Sequence, residues 1–322
     1  MMLWLAWVSA SALAHHGTAT TVVSMAAPTP EAPSEPVEAV QGRVGTTYDL
    51  TSVDQRVQGR QRDALRDLDS TDDVVTLHRV TVSAGLAMPG QRTVDLLLPV
   101  GMVHDGSGND LGPGDATVLV GQGLGRRARL HLSGGITAPT GRYERSASLS
   151  ELDMQGSPDG TLTLATYDTR ASLGAGSWSA LASASGELPL ATAAVRARAG
   201  LTQPLSRTPE GYRWGRDTLL GGALVAPPLG PVAVDLGAER RWHSADDDTY
   251  VDDDTGRTTA AGARQSNAVT AGVTLTVSSR VTCRVDGRRL FGQQADGIQL
   301  MASAGASAGC RLSAPLPVGS DR

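Results

Sequence analysis

Val269-Thr270-Ala271-Gly272-Val273-Thr274-Leu275-Thr276-Val277-Ser278 alternates between apolar and small or polar side chains without a break. A period of two is the pleat of a β-strand, so the stretch predicts a strand with Val269, Ala271, Val273, Leu275 and Val277 on one face and the threonines on the other. Arg127 to Ser133 repeats the pattern with charge. Ala128, Leu130 and Leu132 fall on one face, and Arg127, Arg129, His131 and Ser133 on the other.

Working outward, eleven further stretches read as strands: 43–53, 74–86, 92–103, 115–123, 161–173, 178–188, 193–203, 216–225, 231–241, 280–290 and 298–311. With the two above they make thirteen, whereas bacterial barrels close with even numbers, so one stretch is surplus or two merge into one strand. The connections alternate in length. Met88-Pro89-Gly90-Gln91 and Gly125-Arg126 read as tight turns, whereas 104–114, 142–160 and 244–265 are long, polar and rich in Gly or Asp. In a membrane barrel, tight turns face the periplasm and long loops face outward. Tyr143, Trp178, Trp214 and Trp242 fall at strand ends, the level of an aromatic girdle. The expected fold is all-β: a closed antiparallel transmembrane β-barrel of about twelve strands, with lumen and lipid on opposite faces of each strand.

The ends of the chain read differently. Met1 to Ala14 is an apolar run closing on Ala12-Leu13-Ala14, the small-x-small pattern of a signal peptidase site, although no Lys or Arg precedes it. Residues 15–42 are small, polar and Pro-punctuated, which predicts a disordered leader. The barrel is expected over 43–312, with a tail at 313–322. Residues 56–73 are highly charged and read equally as a short helix or a loop.

Composition removes several function classes. No stretch is apolar for the eighteen residues that a membrane helix needs, which excludes helical channels and transporters. All 28 basic residues are Arg, the net charge is −5, and no basic patch is interleaved with aromatics, so nucleic acid is not an expected partner. No His-Glu-x-x-His, Gly-x-Ser-x-Gly or spaced Cys/His set occurs, so the sequence points to no enzyme and no cofactor. Gly121-Gln122-Gly123-Leu124-Gly125 superficially matches a phosphate-binding turn, but a strand rather than a helix follows it. Cys283 and Cys310, an even count in an exported chain, predict one disulfide across a late hairpin.

Three groups of residues carry the candidate chemistry. Arg127, Arg129, His131, Arg196 and Arg198 are the expected lumen lining, because a charge at mid-depth in hydrocarbon costs about 2–4 kcal/mol. Their alternative is an interior plug of Arg paired with Asp and Glu. His15 and His16, with the free amine left by cleavage, would offer three nitrogen donors to a divalent metal; otherwise they are a solvated terminus. Asp246, Asp248, Asp252 and Asp254 crowd one loop, where they would attract Ca²⁺ or cations bridging lipopolysaccharide, or remain solvated.

The segment 92–141 resembles the outer-membrane proteins of the phenol-degradation MetA type. Leu96-Leu97-Leu98-Pro99, Gly112-Pro113-Gly114-Asp115 and Ala138-Pro139-Thr140-Gly141 match that family's strand ending in Pro, its Gly-x-Gly-Asp turn and its Pro-Thr-Gly. His15-His16-Gly17 before a Pro-rich leader is similar to the start of some members. The resemblance implies an outer-membrane barrel that admits small, often hydrophobic, compounds. The chain departs from such barrels in having few aromatics and in ending Pro317 to Arg322 without a terminal one.

Two readings therefore stand side by side. The first is an outer-membrane pore in contact with lipid and lipopolysaccharide, passing a small-molecule solute. The second is a soluble or surface-attached β-sandwich that binds metal or another envelope component. Both architectures alternate, and they differ in which face meets the dry medium.

Overall fold

A computed structural model describes residues 39–57, 75–105, 108–125, 129–141, 173–207, 213–244, 250–251, 258–259, 263–295 and 298–316. In chain order the strands are β1 (Gln41–Val57), β2 (Val75–Met88), β3 (Arg92–Asp105), β4 (Gly108–Pro113), β5 (Ala116–Leu124), β6 (Arg129–Ala138), β7 (Ser179–Pro189), β8 (Ala194–Pro204), β9 (Asp217–Val225), β10 (Val232–His243), β11 (Tyr250–Val251), β12 (Thr258–Thr259), β13 (Arg264–Thr276), β14 (Val281–Ala295) and β15 (Ile298–Pro315). β11 and β12 form a small separate ribbon.

Every other strand pairs antiparallel with its neighbour, and β1 closes on β15 from Gln41 opposite Pro315 to Val57 opposite Ile298. The outer edge of β3 is shared: Arg92 to Leu97 pair with β5, and Val100 to Asp105 pair with β4. β4 and β5 are thus one stave broken at Gly114-Asp115, and the cylinder has twelve staves. Pairing extends past the 43 and 312 bounds expected from sequence, because Gln41 and Pro315 still face each other across the seam.

Twelve of the thirteen stretches read as strands correspond to barrel strands; the other, 161–173, lies outside the described residues but for Leu173, which is not in a strand. The span 104–114, expected as a loop, instead holds β4, which pairs with Val100 to Asp105 of β3. The turn after β2 needs a left-handed backbone at two successive residues, Gly90 (φ 78°) and Gln91 (φ 61°), which glycine adopts without steric cost.

Exposure decides between lipid and solvent. Leu236 is 62 % exposed and Val285 57 %, whereas Glu239 on the same strand as Leu236 is 5 % exposed and Arg284, beside Val285, is 4 %. Apolar side chains face out and charged ones face in, the reverse of a soluble protein. This arrangement contradicts the β-sandwich reading: one sheet closes on itself with a polar centre, and among the described residues no second sheet stacks on it. On β13, Val269, Val273 and Leu275 are exposed, and Gly272 and Thr274 are buried.

Candidate functional site

The interior wall of the cylinder is the part of the molecule where chemistry concentrates. Inward positions on β10 and β14 place Asp235, Glu239, Arg241, Arg284, Asp286 and Arg288 two residues or a multiple of two apart, so the pleat gives them one face. Arg284 is the densest node. Its Nε donates to both oxygens of Asp286 at 2.7 and 2.9 Å, and its two terminal nitrogens donate to Asp235 at 2.7 and 2.9 Å. Nη1 also reaches Thr274 Oγ1 at 3.1 Å. Such planar, charge-assisted pairing suits arginine and not lysine.

Further ion pairs continue around the wall. Glu239 accepts from Arg241 and Arg198, the latter at very short range. Arg79 approaches Asp49 at 3.5 Å, Arg196 pairs with Glu187 at 3.0 Å, and Arg43 Nη2 lies 2.8 Å from both oxygens of Asp95. Higher on β9 and β10, His243 Nδ1 lies 3.1 Å from Asp217. Three of these pairs, Arg284–Asp235, Arg198–Glu239 and Arg43–Asp95, join strands that are not neighbours, so their side chains run along the wall over an intervening strand.

Glycines make that possible. A Cβ on Gly305 would sit 2.7 Å from Arg288 Nε, and one on Gly121 would sit 2.5 Å from His131 Nε2 and 2.6 Å from Thr93 Oγ1. Gly272 receives Arg284 and Gly85 receives Asp95 in the same way. Lumen-facing glycines are thus shallow beds for long polar side chains. His131 lies almost wholly buried on its bed, and among the described residues neither of its ring nitrogens has a hydrogen-bond partner.

Apolar side chains also face inward. Leu97 on β3, Leu119 on β5 and Leu219 on β9 are buried inward, with Leu181 of β7 half-buried between them. Against the charged wall lies a recess lined by Asp49, Thr51, Arg198, Glu239, Asp286 and Arg288 among others. The interior therefore carries both charged and apolar side chains.

A second cluster sits where the β4–β5 stave is broken. Asp115 accepts backbone N–H groups from Gly141 at 2.8 Å and Ala175 at 2.6 Å, tying the chain just after β6 to the chain just before β7. Gly114 N–H donates to the Pro99 carbonyl at 2.8 Å, and Thr140 Oγ1 accepts from Ala116 N–H at 2.8 Å. Trp214 Nε1 donates to the Ala175 carbonyl at 2.8 Å. The three motifs quoted from 92–141 thus converge on one knot in space.

Of the residues singled out from sequence, His131, Arg196 and Arg198 face the interior, and Arg129 lies on the same face of β6. Arg127, His15, His16, Asp246, Asp248, Asp252 and Asp254 lie outside the described residues, as does Tyr143. Cys283 and Cys310 are bonded, directly opposite each other on β14 and β15. Trp178 is exposed at the start of β7, whereas Trp214 is 2 % exposed and belongs to the Asp115 knot rather than to a girdle. The reading from sequence missed the Asp235–Arg284–Asp286 and Glu239 groups. Their inward parity was visible once β10 and β14 were strands, in Asp235, Glu239, Arg241 and His243 and in Arg284, Asp286 and Arg288.

A closed cylinder with an apolar exterior and a charged interior is the fold of outer-membrane channels. No family model matches the chain, and no curated protein matches it. Among solved structures it is similar to an outer membrane channel from Pseudomonas putida F1, at 16 % identity and a TM-score of 0.58, covering 87 % of this chain and 97 % of that one. A deletion mutant of the monoaromatic hydrocarbon channel TodX aligns at 9 % identity and a TM-score of 0.45, over 87 % and 91 % of the two chains. A FadL homologue of Pseudomonas aeruginosa aligns at 10 % identity and 0.39, over 86 % and 89 %.

Proposed function

We propose that the chain is an outer-membrane β-barrel of a Gram-negative envelope, exported by a cleaved signal peptide, through which small solutes diffuse passively. One observation carries the reading: the wall turns leucine and valine outward and its ion pairs inward, an arrangement that is stable only with hydrocarbon outside and water within. Selection then rests on lumen width, on the charged wall and on the leucines facing it. The resemblance of 92–141 to the phenol-degradation MetA type supports small, partly hydrophobic solutes, and the Asp115 knot gives its three motifs a shared structural reason. Arg129, His131, Arg196 and Arg198 line the path in this reading. Outer-membrane lipid and lipopolysaccharide are its surroundings.

The test is fractionation followed by flux. The protein should be recovered with the outer membrane, migrate faster on a gel before boiling than after, and admit phenol-sized neutral solutes into liposomes. Recovery in the soluble periplasm, without a heat-dependent band shift, contradicts the reading.

A further inference from the structure

Two arginines well up the wall break the rule that charge faces inward. Arg240 on β10 and Arg289 on β14 share the outward parity of Leu236 and Val285, and both are exposed. β13 runs between them: Asn267 stands opposite Arg240 and Phe291, and Val269 stands opposite Ala238 and Arg289. Two strand spacings across and two residues along, this register sets the arginine Cα atoms about 12 Å apart on the outer wall. Arg240 is held in place, donating to Gln265 Oε1 at 2.7 Å and lying 5.1 Å from the centre of the Trp242 ring. Neither has a counter-ion on its own face. Every Asp and Glu among the described side chains points inward, except Asp115, which is held in its knot.

Their height on the wall is set by the turns. Arg240 lies eight residues beyond Val232 and Arg289 eight beyond Val281, the first residues of their strands. At the tilt of a barrel strand that is about 20 Å above the tight-turn end of an apolar band about 25 Å tall. Below them the outward positions are uncharged: Val234, Leu236 and Ala238 on β10, and Val281, Cys283, Val285 and Gly287 on β14. Phe291, the chain's single Phe, is 51 % exposed beside Asn267. Arg216, exposed just before β9 and paired through its backbone with Ser244, adds a third positive charge at the rim. The long connection 244–265 leaves this end, so it faces outward and the lipid around it is that of the outer leaflet.

We infer that Arg240 and Arg289 form a docking site for the phosphorylated glucosamine head of lipid A, the membrane anchor of lipopolysaccharide. A guanidinium at the edge of hydrocarbon, with no carboxylate beside it, gains from a phosphate that it can meet at two points. Two such forks, set apart on a flat face, suit a disaccharide that carries a phosphate at each end, whereas a phospholipid offers one. The Asn267 amide between them faces the sugar, and Val269 and Phe291 meet the acyl chains. At the tight-turn end Arg92 is also exposed, but among the described residues no second outward arginine stands on a neighbouring strand.

The inference rests on the outer-membrane reading. Native mass spectrometry of the full, detergent-folded protein, titrated with diphosphoryl lipid A, should show saturable one-to-one binding that an equal concentration of phosphatidylglycerol does not displace. R240Q and R289Q combined should weaken that binding at least ten-fold, while R92Q should bind as the unaltered protein does. Equal binding by the double variant, displacement by phosphatidylglycerol, or no lipid A binding by the unaltered protein overturns the site. If the double variant does not fold, the unaltered protein still decides: monophosphoryl lipid A should bind several-fold more weakly than the diphosphoryl form, and equal binding of the two refutes recognition of paired phosphates. Fractionation separates this idea from the reading beneath it. Recovery in the soluble periplasm removes the outer-membrane reading whatever binds in detergent, and recovery in the outer membrane with equal binding by the double variant removes the site alone.

Discussion

Arg284 and the glycines beside the charged wall set the energetics of the interior. Arg284 is 4 % exposed and Asp235 6 %, so neither charge can rely on bulk water and each depends on the other. Removing one partner of such a pair strands a buried charge, and Asp235→Ala should cost about 3–5 kcal/mol of stability. A lowered urea midpoint for loss of the unboiled fast-migrating band measures it. Gly121 exemplifies the beds: a side chain there meets His131 Nε2 at 2.5 Å and Thr93 Oγ1 at 2.6 Å, and Gly121→Val should destabilise by about 1–3 kcal/mol. Little of this was legible from sequence. Glycine in a strand reads as a weak strand former, and its purpose appears only when the residue it faces on the neighbouring strand is known. Asp115 makes the same point, since a lone Asp after Gly114 gives no sign that it will hold Gly141 and Ala175 together. Asp115→Ala should leave the barrel folded and raise amide hydrogen exchange at Gly141 and Ala175, which mass spectrometry of the flanking peptides reads directly.

At the scale of strands, alternation was informative because one face of each must tolerate hydrocarbon. β13 shows why the signal was clean: Val269, Val273 and Leu275 lie outward and exposed, and no loop or neighbouring domain covers them. Val273→Arg should therefore cost about 2–4 kcal/mol if the site lies near mid-membrane, against little change for Thr270→Ser on the inward face. Unfolding from lipid vesicles in urea compares the two. The stretch 161–173 lies, but for Leu173, outside the described residues. β4 was hidden from the sequence. Its sequence Gly108-Asn109-Asp110-Leu111-Gly112-Pro113 carries loop residues, and only the free upper edge of β3 makes it a strand. The late hairpin β14–β15 is fastened by Cys283–Cys310, 27 residues apart. In the chain-entropy view a loop of that length contributes about 3.5 kcal/mol, so reduction should lower the urea midpoint while leaving the heat-dependent band shift intact.

For the molecule as a whole, closure follows from the seam between β1 and β15, which no sequence pattern announces. Its seventeen-residue first strand pairs along its length with the last, so the first and last strands of the sheet meet and close it. Closure is what allows the backbone to be satisfied in hydrocarbon, and it separates an apolar outside from an amphipathic inside. The same pattern of alternating residues suits a sandwich equally well, which is why that reading stood beside the barrel until the buried face proved to be the charged one. The central claim is thus about solvent: lipid touches the face of Val273 and Leu275, and water touches the face of Thr270. Nitroxide labels at Val273 and Thr270 in the reconstituted protein test it most directly, through collision with oxygen, which concentrates in lipid, and with a water-soluble nickel chelate. The account predicts that oxygen relaxes the label at 273 and nickel the label at 270; nickel access at 273 equal to that at 270, with no preference for oxygen, would contradict it.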